Sequence, residues 1–374
     1  MALFKKKVKS DEDYFLASQW TLMGRKLIKH KLAVFSMWIL GILYFCALFA
    51  NFLAPYGLEE YDSVYKNAAP TKIHFVHEGE FIGPFVYKVD WIKNKQTFKT
   101  EFTELTDEPY KITLFAEGCE YKLFGLIKTN RHLFGAVGAN GGTGGKIMLM
   151  GADSMGRDLF SRLLIGSQIS LTIPFASTAI SFILGIILGG ISGYFGGFID
   201  NLIQRIIEVL SALPTIPLWM ALSAAIPADI PVVRMYLYIT VIISFISWTG
   251  LARVVRGKFI SLRKEDFVMA ARLAGVSDFK IILKHLVPGF MSYLIVNLTL
   301  GIPNMIIGET SMSFLGLGMR APATSWGVLL KETQDITSIA QYPWRLIPLV
   351  AVIITVLAFN FLGDGLRDAA DPYK

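Results

Sequence analysis

Charge and cysteine are both scarce in this chain of 374 residues: Asp, Glu, Lys and Arg make up 17% of it, and there are two cysteines, Cys46 and Cys119. The first lies in an apolar run and the second in a polar region, which excludes a disulfide framework and a cysteine-based zinc site. Histidine is as thin. His30, His74, His77, His132 and His285 are spread along the chain, and no nucleophile, base and acid converge with them, so a membrane enzyme has no candidate centre. His74 and His77 alternate along a strand-like stretch and would hold a metal only with outside ligands; a solvated strand is the simpler reading. A phosphate-binding loop is missing too. The segment Gly138-Ala-Asn-Gly-Gly-Thr-Gly-Gly-Lys146 comes nearest, but Asn140 stands where the first glycine of that signature belongs and Ile147 where Ser or Thr must reach magnesium. It reads as a flexible turn or linker.

Apolar residues are what the chain has in excess, at 53%, with a mean hydropathy of +0.50. A soluble protein of this size does not carry so much, and a membrane protein is the expectation. The net charge of +7 does not point to nucleic acid, because the basic residues sit beside apolar runs, where they set orientation in a bilayer. Residues 1–31 are polar and basic, ending in Arg25, Lys26, Lys29, His30 and Lys31, and are expected in the cytoplasm. Within them Phe15, Trp20, Leu22, Leu27 and Ile28 suggest a short helix on the membrane surface, a loose tail being the alternative. Residues 32–54 are apolar without charge and without a small-residue cleavage pattern, so they read as a retained span, not a signal peptide.

Residues 55–147 change character. Charges of both signs mix with alternating stretches at Lys72–His77, Phe85–Trp91 and Ile112–Phe115 that read as strands. Since the first span leaves the cytoplasm, this β-rich insert is extracytoplasmic, and its lysines do not count against that in so long a loop. Residues 148–374 then read as a five-helix core. Asp153 is placed to cap a helix on which Leu159, Phe160, Leu163 and Leu164 face the membrane and Asp158, Ser161 and Arg162 face water. Spans follow at Ile169–Tyr194, rich in glycine for close helix approach, and up to Ile226, kinked by Pro214 and Pro217. Three more run over Leu237–Val255, Gly289–Met312 and Leu346–Phe361. Six spans leave both ends cytoplasmic.

Between two of these spans lies a structured cytoplasmic loop, residues 256–288, bordered by Arg253, Arg256, Lys258, Arg263 and Lys264. A helix is expected from Glu265 to Ala274, with Ala270, Ala271 and Ala274 leaving one surface free of bulky side chains. Gly275 stops it in a left-handed conformation, Ser277 caps a second short helix, and Pro288 marks the next span. This arrangement resembles the coupling loop of binding-protein-dependent ABC importer permeases, whose motif reads Glu-Ala-Ala, three residues, Gly, then a later Pro. Ala270, Ala271, Gly275 and Pro288 match; Met269 replaces the family's Glu, and His285 stands where Ile is frequent. The string containing Asp153, Gly156, Arg157, Asp158 and Arg162, and the later one with Gly316, Gly318, Pro322, Ser325, Trp326 and Gly327, resemble the C-type permease subunit of dipeptide and oligopeptide importers. So does the end, Gly363-Asp, Leu366-Arg-Asp and Asp371-Pro. Both central strings are expected at the outer surface.

The resemblance covers the chain from residue 32 onward except the insert, and it implies the type I ABC importer permease fold. It also implies partners: a second permease subunit, two ATPase subunits that bind ATP and Mg, an extracytoplasmic binding protein, membrane lipid, and a peptide-like substrate, with oligosaccharides or nickel complexes as alternatives. No cofactor or metal is expected in this chain, no nucleic acid as partner, and the bacterial cytoplasmic (inner) membrane is the implied location. A channel or secondary transporter is the rival class, since such proteins carry ionisable residues deep in their spans. Here Glu309 is the candidate, either as an interhelical hydrogen-bonding residue or as a contact for a substrate amino group.

Overall fold

The computed structural model describes residues 19–93, 100–138, 145–227 and 229–371. Among them five helices are long and apolar enough to cross a membrane, or six spans if one bent pair counts as one. Helix α1 (Gln19–Lys29) contains Trp20, Leu22, Leu27 and Ile28 of the expected surface helix; Phe15 lies outside the described residues. His30 then caps α2 (Lys31–Leu48), its Nδ1 accepting from the Ala33 amide at 3.1 Å, and a further turn, Ala50–Leu53, prolongs that first span.

The insert is built from β1 (His74–His77), β2 (Glu80–Lys93), β3 (Thr100–Leu114), β4 (Glu117–Leu123), β5 (Ile127–Arg131) and β6 (Phe134–Val137). One antiparallel sheet runs β1-β2-β3-β6, with Phe85 opposite Lys111 and Trp91 opposite Phe102; β4 and β5 pair separately. Phe85, Val86 and Tyr110 are buried with Ile147 from the returning chain. The expected His74 and His77 both sit on β1. His74 Nε2 is 3.0 Å from Glu104 Oε2, and His77 Nδ1 is 2.9 Å from the Tyr87 hydroxyl.

Beyond the insert, α3 (Leu159–Phe195) is a single helix of 37 residues. This corrects two expectations. No separate surface helix precedes the span, and the cap is Asp158, not Asp153: its Oδ2 accepts from the Ser161 amide at 2.8 Å and from the Ser161 hydroxyl at 2.6 Å. The expected water-facing side is also corrected. Asp158, Ser161 and Arg162 are buried, as is Leu159, while Phe160, Leu163 and Leu164 are half-exposed. In hydrocarbon a polar face finds no water and must turn toward protein partners, so the apolar face is left for lipid.

After α3 come α4 (Gly197–Ala212) and α5 (Thr215–Ala224), bent by 90° where Pro214 interrupts the amide ladder. Helix α6 (Val232–Leu262) outruns the expected Leu237–Val255 at both ends. It lies along α3 at backbone range. Gly185, Gly189 and Gly193 recur every four residues on the contact face; a Cβ at Gly189 would stand 2.8 Å from Ala252 Cα and 2.9 Å from Val255 Cβ. Hydroxyls cross the same seam: Ser177 donates to Thr240 O, Ser244 to Ser177 O and Ser181 to Ser244 O, each at 3.2 Å. The chain continues through α7 (Asp266–Leu273), α8 (Asp278–Ile281), α9 (Met291–Phe314), α10 (Trp326–Lys331) and α11 (Ile347–Ala370). Helix α11 closes on α2, where Tyr44 meets Phe359 edge to face with centroids 6.5 Å apart.

Substituting Gly189→Ala is therefore expected to wedge α3 from α6 and cost about 1–3 kcal/mol, the usual effect of overpacking. In detergent this reads as a lowered melting temperature by size-exclusion thermal challenge. An unchanged melting temperature would show that the seam yields without cost.

Candidate functional site

Three groups of residues lie along α3: one at the insert end, one midway along the helix and one at its far end beside residues 256–288. At the insert end Asp153, which is 1% exposed, accepts from the Met155 amide at 2.8 Å and the Arg157 amide at 3.0 Å. Its other oxygen accepts from Arg157 Nε at 2.7 Å and from Arg162 Nη1. Glu332, just past α10, accepts from the same two guanidinium groups at 3.2 Å and 2.9 Å. Two acids and two arginines thus form a closed network with no net charge, the arrangement under which buried ions are tolerable. Next to it Trp326 is buried, its amide donating to Ser170 Oγ at 2.9 Å and its indole to Leu163 O at 3.1 Å. Glu309 is fully buried below, accepting from Ser313 Oγ at 2.7 Å and Ser170 Oγ at 3.3 Å.

These positions correct the reading of the motif residues as an outer surface. Asp153, Gly156, Asp158, Arg162, Gly318 and Trp326 are buried, Arg157 and Gly316 half-buried, and Pro322 alone of the nine is exposed. They clasp the chain before α3 to the loop after α9. Gly316 holds φ at +80°, and a Cβ at Gly327 would stand 2.6 Å from Thr310 O, so the turn closes tightly on α9.

Midway along, α3, α5, α6 and α9 surround a cavity of about 440 Å³. Its lining includes Ser181, Thr215, Ser247, Asn297 and Asn304, beside Trp219, and no ionisable side chain. Asn297, Gly301 and Asn304 share one face of α9 by their spacing. The Trp219 indole N–H is buried without a partner. Sequence reasoning missed these residues, although two asparagines seven apart in an apolar span were the available signal. Glu309 is absent from the lining.

At the far end, α7 terminates as expected at Gly275, φ +74°. The Gly275 amide donates to Arg272 O at 3.0 Å and the Val276 amide to Ala271 O at 3.1 Å, the paired bonds of a Schellman stop. Glu265 occupies the N-cap position of α7 but makes no side-chain cap bond. Ser277 likewise precedes α8 without capping it, contrary to expectation. Pro288 does not open a fresh helix: α8 passes through a wide turn, Ile282–Leu286, and a tight one, Val287–Phe290, straight into α9. Ala271 is half-buried against Val268 and Ile281, whereas Met269, Ala270, Leu273 and Ala274 are exposed. The small, apolar outward face is therefore Ala270 and Ala274 with their neighbours.

One constellation ties this segment to α3. Tyr194 donates its hydroxyl to the Asp278 carboxylate and accepts from Arg272 Nε at 3.2 Å, while the Arg272 guanidinium lies 4.9 Å from its ring centroid. Arg263 Nη1 donates to Tyr194 O at 3.1 Å. No local sequence signal announces it, because the partners come from three separate stretches.

Burial pushes the Asp158 carboxyl up to about 7, against the lowering effect of its Ser161 bonds. A raised folded-state value means that the neutral form is preferred, so its stabilisation holds at acid pH and is lost as pH rises through about 7. Asp158→Asn keeps the cap acceptor and removes the titration. The melting temperature of the parent protein should fall relative to that of the variant as pH rises from about 4 to about 7 and then level off; parallel curves would mean that Asp158 is charged throughout.

Comparison with known proteins agrees with this architecture. Residues 181–373, over half of the chain, match the family described as binding-protein-dependent transport system inner membrane component. Residues 18–70 match the N-terminal transmembrane domain of oligopeptide transport permease C. The glutathione transport system permease protein GsiD of Escherichia coli O157:H7 is 42% identical over 222 residues, 59% of this chain and 71% of that protein. The protein of the same name from Shigella sonnei (strain Ss046) matches to the same extent. Among solved structures, an inward-facing form of the MetNI methionine ABC transporter has a TM-score of 0.44 at 19% identity, over 56% of this chain and 96% of that one. On the strength of the family match and of the GsiD relatives, the chain belongs to the binding-protein-dependent transport system inner membrane components, as a permease subunit of an ABC importer.

Proposed function

We propose that this permease pairs with a second, related permease subunit, is driven by two separate ATPase subunits, and imports peptides delivered by an extracytoplasmic binding protein. The observation that carries the reading is a polar, uncharged cavity between α3, α5, α6 and α9, lying on the same long helix that Tyr194 ties to the coupling segment. A path lined by amides and hydroxyls offers donors and acceptors to peptide groups without fixing an ion. A secondary transporter would need an ionisable group at that level, and Glu309 is walled off by Ser170 and Ser313. Relatives named for glutathione, itself a tripeptide, support the substrate class.

In this reading the exposed Ala270 and Ala274 let α7 seat in a groove of an ATPase subunit. When ATP draws the ATPases together, α7 moves as a rigid body, and Tyr194 and the continuous α8–α9 path carry the motion to two walls of the cavity. ATP and Mg belong to the partner subunits. The N- and C-terminal segments and the coupling loop lie in the cytoplasm and the insert outside, in a bacterial inner membrane.

Reconstituted with its partners, the complex should take up a tripeptide with ATP. Ala274→Arg, on the exposed face, should leave assembly intact and cut uptake and binding-protein-stimulated ATPase by more than about tenfold, a loss of ~1.4 kcal/mol in the docked state. Gly275→Val should do likewise through the left-handed φ, whose strain is about 1–2 kcal/mol. Met269→Glu should be tolerated. Full uptake by both damaging variants would remove α7 from the coupling path.

Orientation is tested separately by an impermeant thiol reagent on single-cysteine variants. A cysteine at Lys93 should label in intact cells, and one at Lys280 only after the membrane is opened. The reverse pattern would overturn the importer topology.

A further inference from the structure

The β4–β5 hairpin ends in a turn unsuited to water. Lys122-Leu-Phe-Gly-Leu-Ile-Lys128 places Leu123, Phe124, Leu126 and Ile127 around the reversal, where Gly, Asn, Asp and Ser reverse a chain with least strain. Leu126 is 85% exposed, Ile127 61% and Phe124 51%. Phe124 even holds a left-handed φ of +52°, which a bulky side chain adopts only at a cost. The register sets Lys122 opposite Lys128, like charges facing each other across the ladder, which is unfavourable unless an anion lies between or beyond them.

Its neighbours locate this tip. The Phe124 ring lies 5.4 Å from that of Phe49, which in turn lies 4.7 Å from Phe45 on α2. Phe115 of the adjoining turn lies 6.1 Å from Phe52. At about 1.5 Å per residue, α2 reaches across nearly all of a hydrocarbon core about 30 Å thick. Phe49, which follows its last residue, therefore stands at the boundary of acyl chains and headgroups on the insert's side. The exposed tip is continuous with the lipid-facing surface of α2, where Phe45 is itself exposed.

We propose that the β4–β5 hairpin dips into the bilayer beside the first span, with Phe124, Leu126 and Ile127 among the acyl chains and Lys122 and Lys128 on the phosphates of anionic phospholipid. Apolar residues below and lysines above are the order that an interface selects. The inference rests on the membrane spans alone and not on the transported substrate.

The test places a diazirine-bearing leucine analogue at position 126 of the full-length chain. The chain is photolysed in vesicles of phosphatidylcholine with phosphatidylglycerol, and adducts are read by mass spectrometry. The same probe at Phe45, on the lipid face of α2, certifies correct insertion. Phospholipid adducts at 126, enriched in phosphatidylglycerol over its share of the vesicle and losing that enrichment in Lys122→Glu/Lys128→Glu, are the expected result. Adducts with water alone at 126, while 45 labels lipid, would overturn the proposal, as would exclusive crosslinks to a protein once binding protein and partner subunits are added. Labelling of the two lipids in proportion to their abundance would overturn the role given to the lysines.

Discussion

A bilayer core offers polar groups no water, and that single constraint arranges most of this molecule. Hydroxyls that a soluble helix would point outward instead cross the α3–α6 seam to opposing carbonyls. At the insert end the same requirement draws Asp153, Arg157, Arg162 and Glu332 into one closed network. What remains on the lipid side is apolar. Against that background a stripe such as Asn297, Gly301 and Asn304, turned toward open space, stands apart.

Helix α3 connects these parts. Its first turn is fixed by the clasp, its middle contributes Thr178 and Ser181 to the cavity, and its last turn carries Tyr194. The cavity and the Tyr194 contacts to Arg272 and Asp278 are therefore joined by one continuous element and not by a chain of loose contacts. Glycines along the α6 face allow the two backbones to lie close, so α3 and α6 act together.

Much of this was legible in the residues. Long apolar runs marked the spans, period-two alternation marked the insert, and Gly275 announced the stop of α7 through its backbone freedom. Other features were hidden for definite reasons. Periodicity divides the start of α3 into two faces but does not say which is buried; that depends on whether the surroundings are water, lipid or protein. Asp153 was the expected cap, but Arg157 and Arg162 claim its carboxylate and leave the cap to Asp158. Ser277 stands at an N-cap without capping, because residue type alone does not set its rotamer. Tyr194, Arg272 and Asp278 come together only through tertiary packing.

The neck of the insert has a consequence of its own. The chain leaves and re-enters the core at nearly one place: the Ile147 amide donates to the Tyr56 hydroxyl at 2.7 Å, Lys146 pairs with Glu60 at 3.1 Å, and the Asp62 amide reaches Gly156 O at 3.2 Å. A segment whose ends are stitched side by side is removed or exchanged without altering the path of the helices that flank it. Descent with modification can therefore work on the two parts at different rates, the helical body held to its packing while the inserted module is lengthened, replaced or lost.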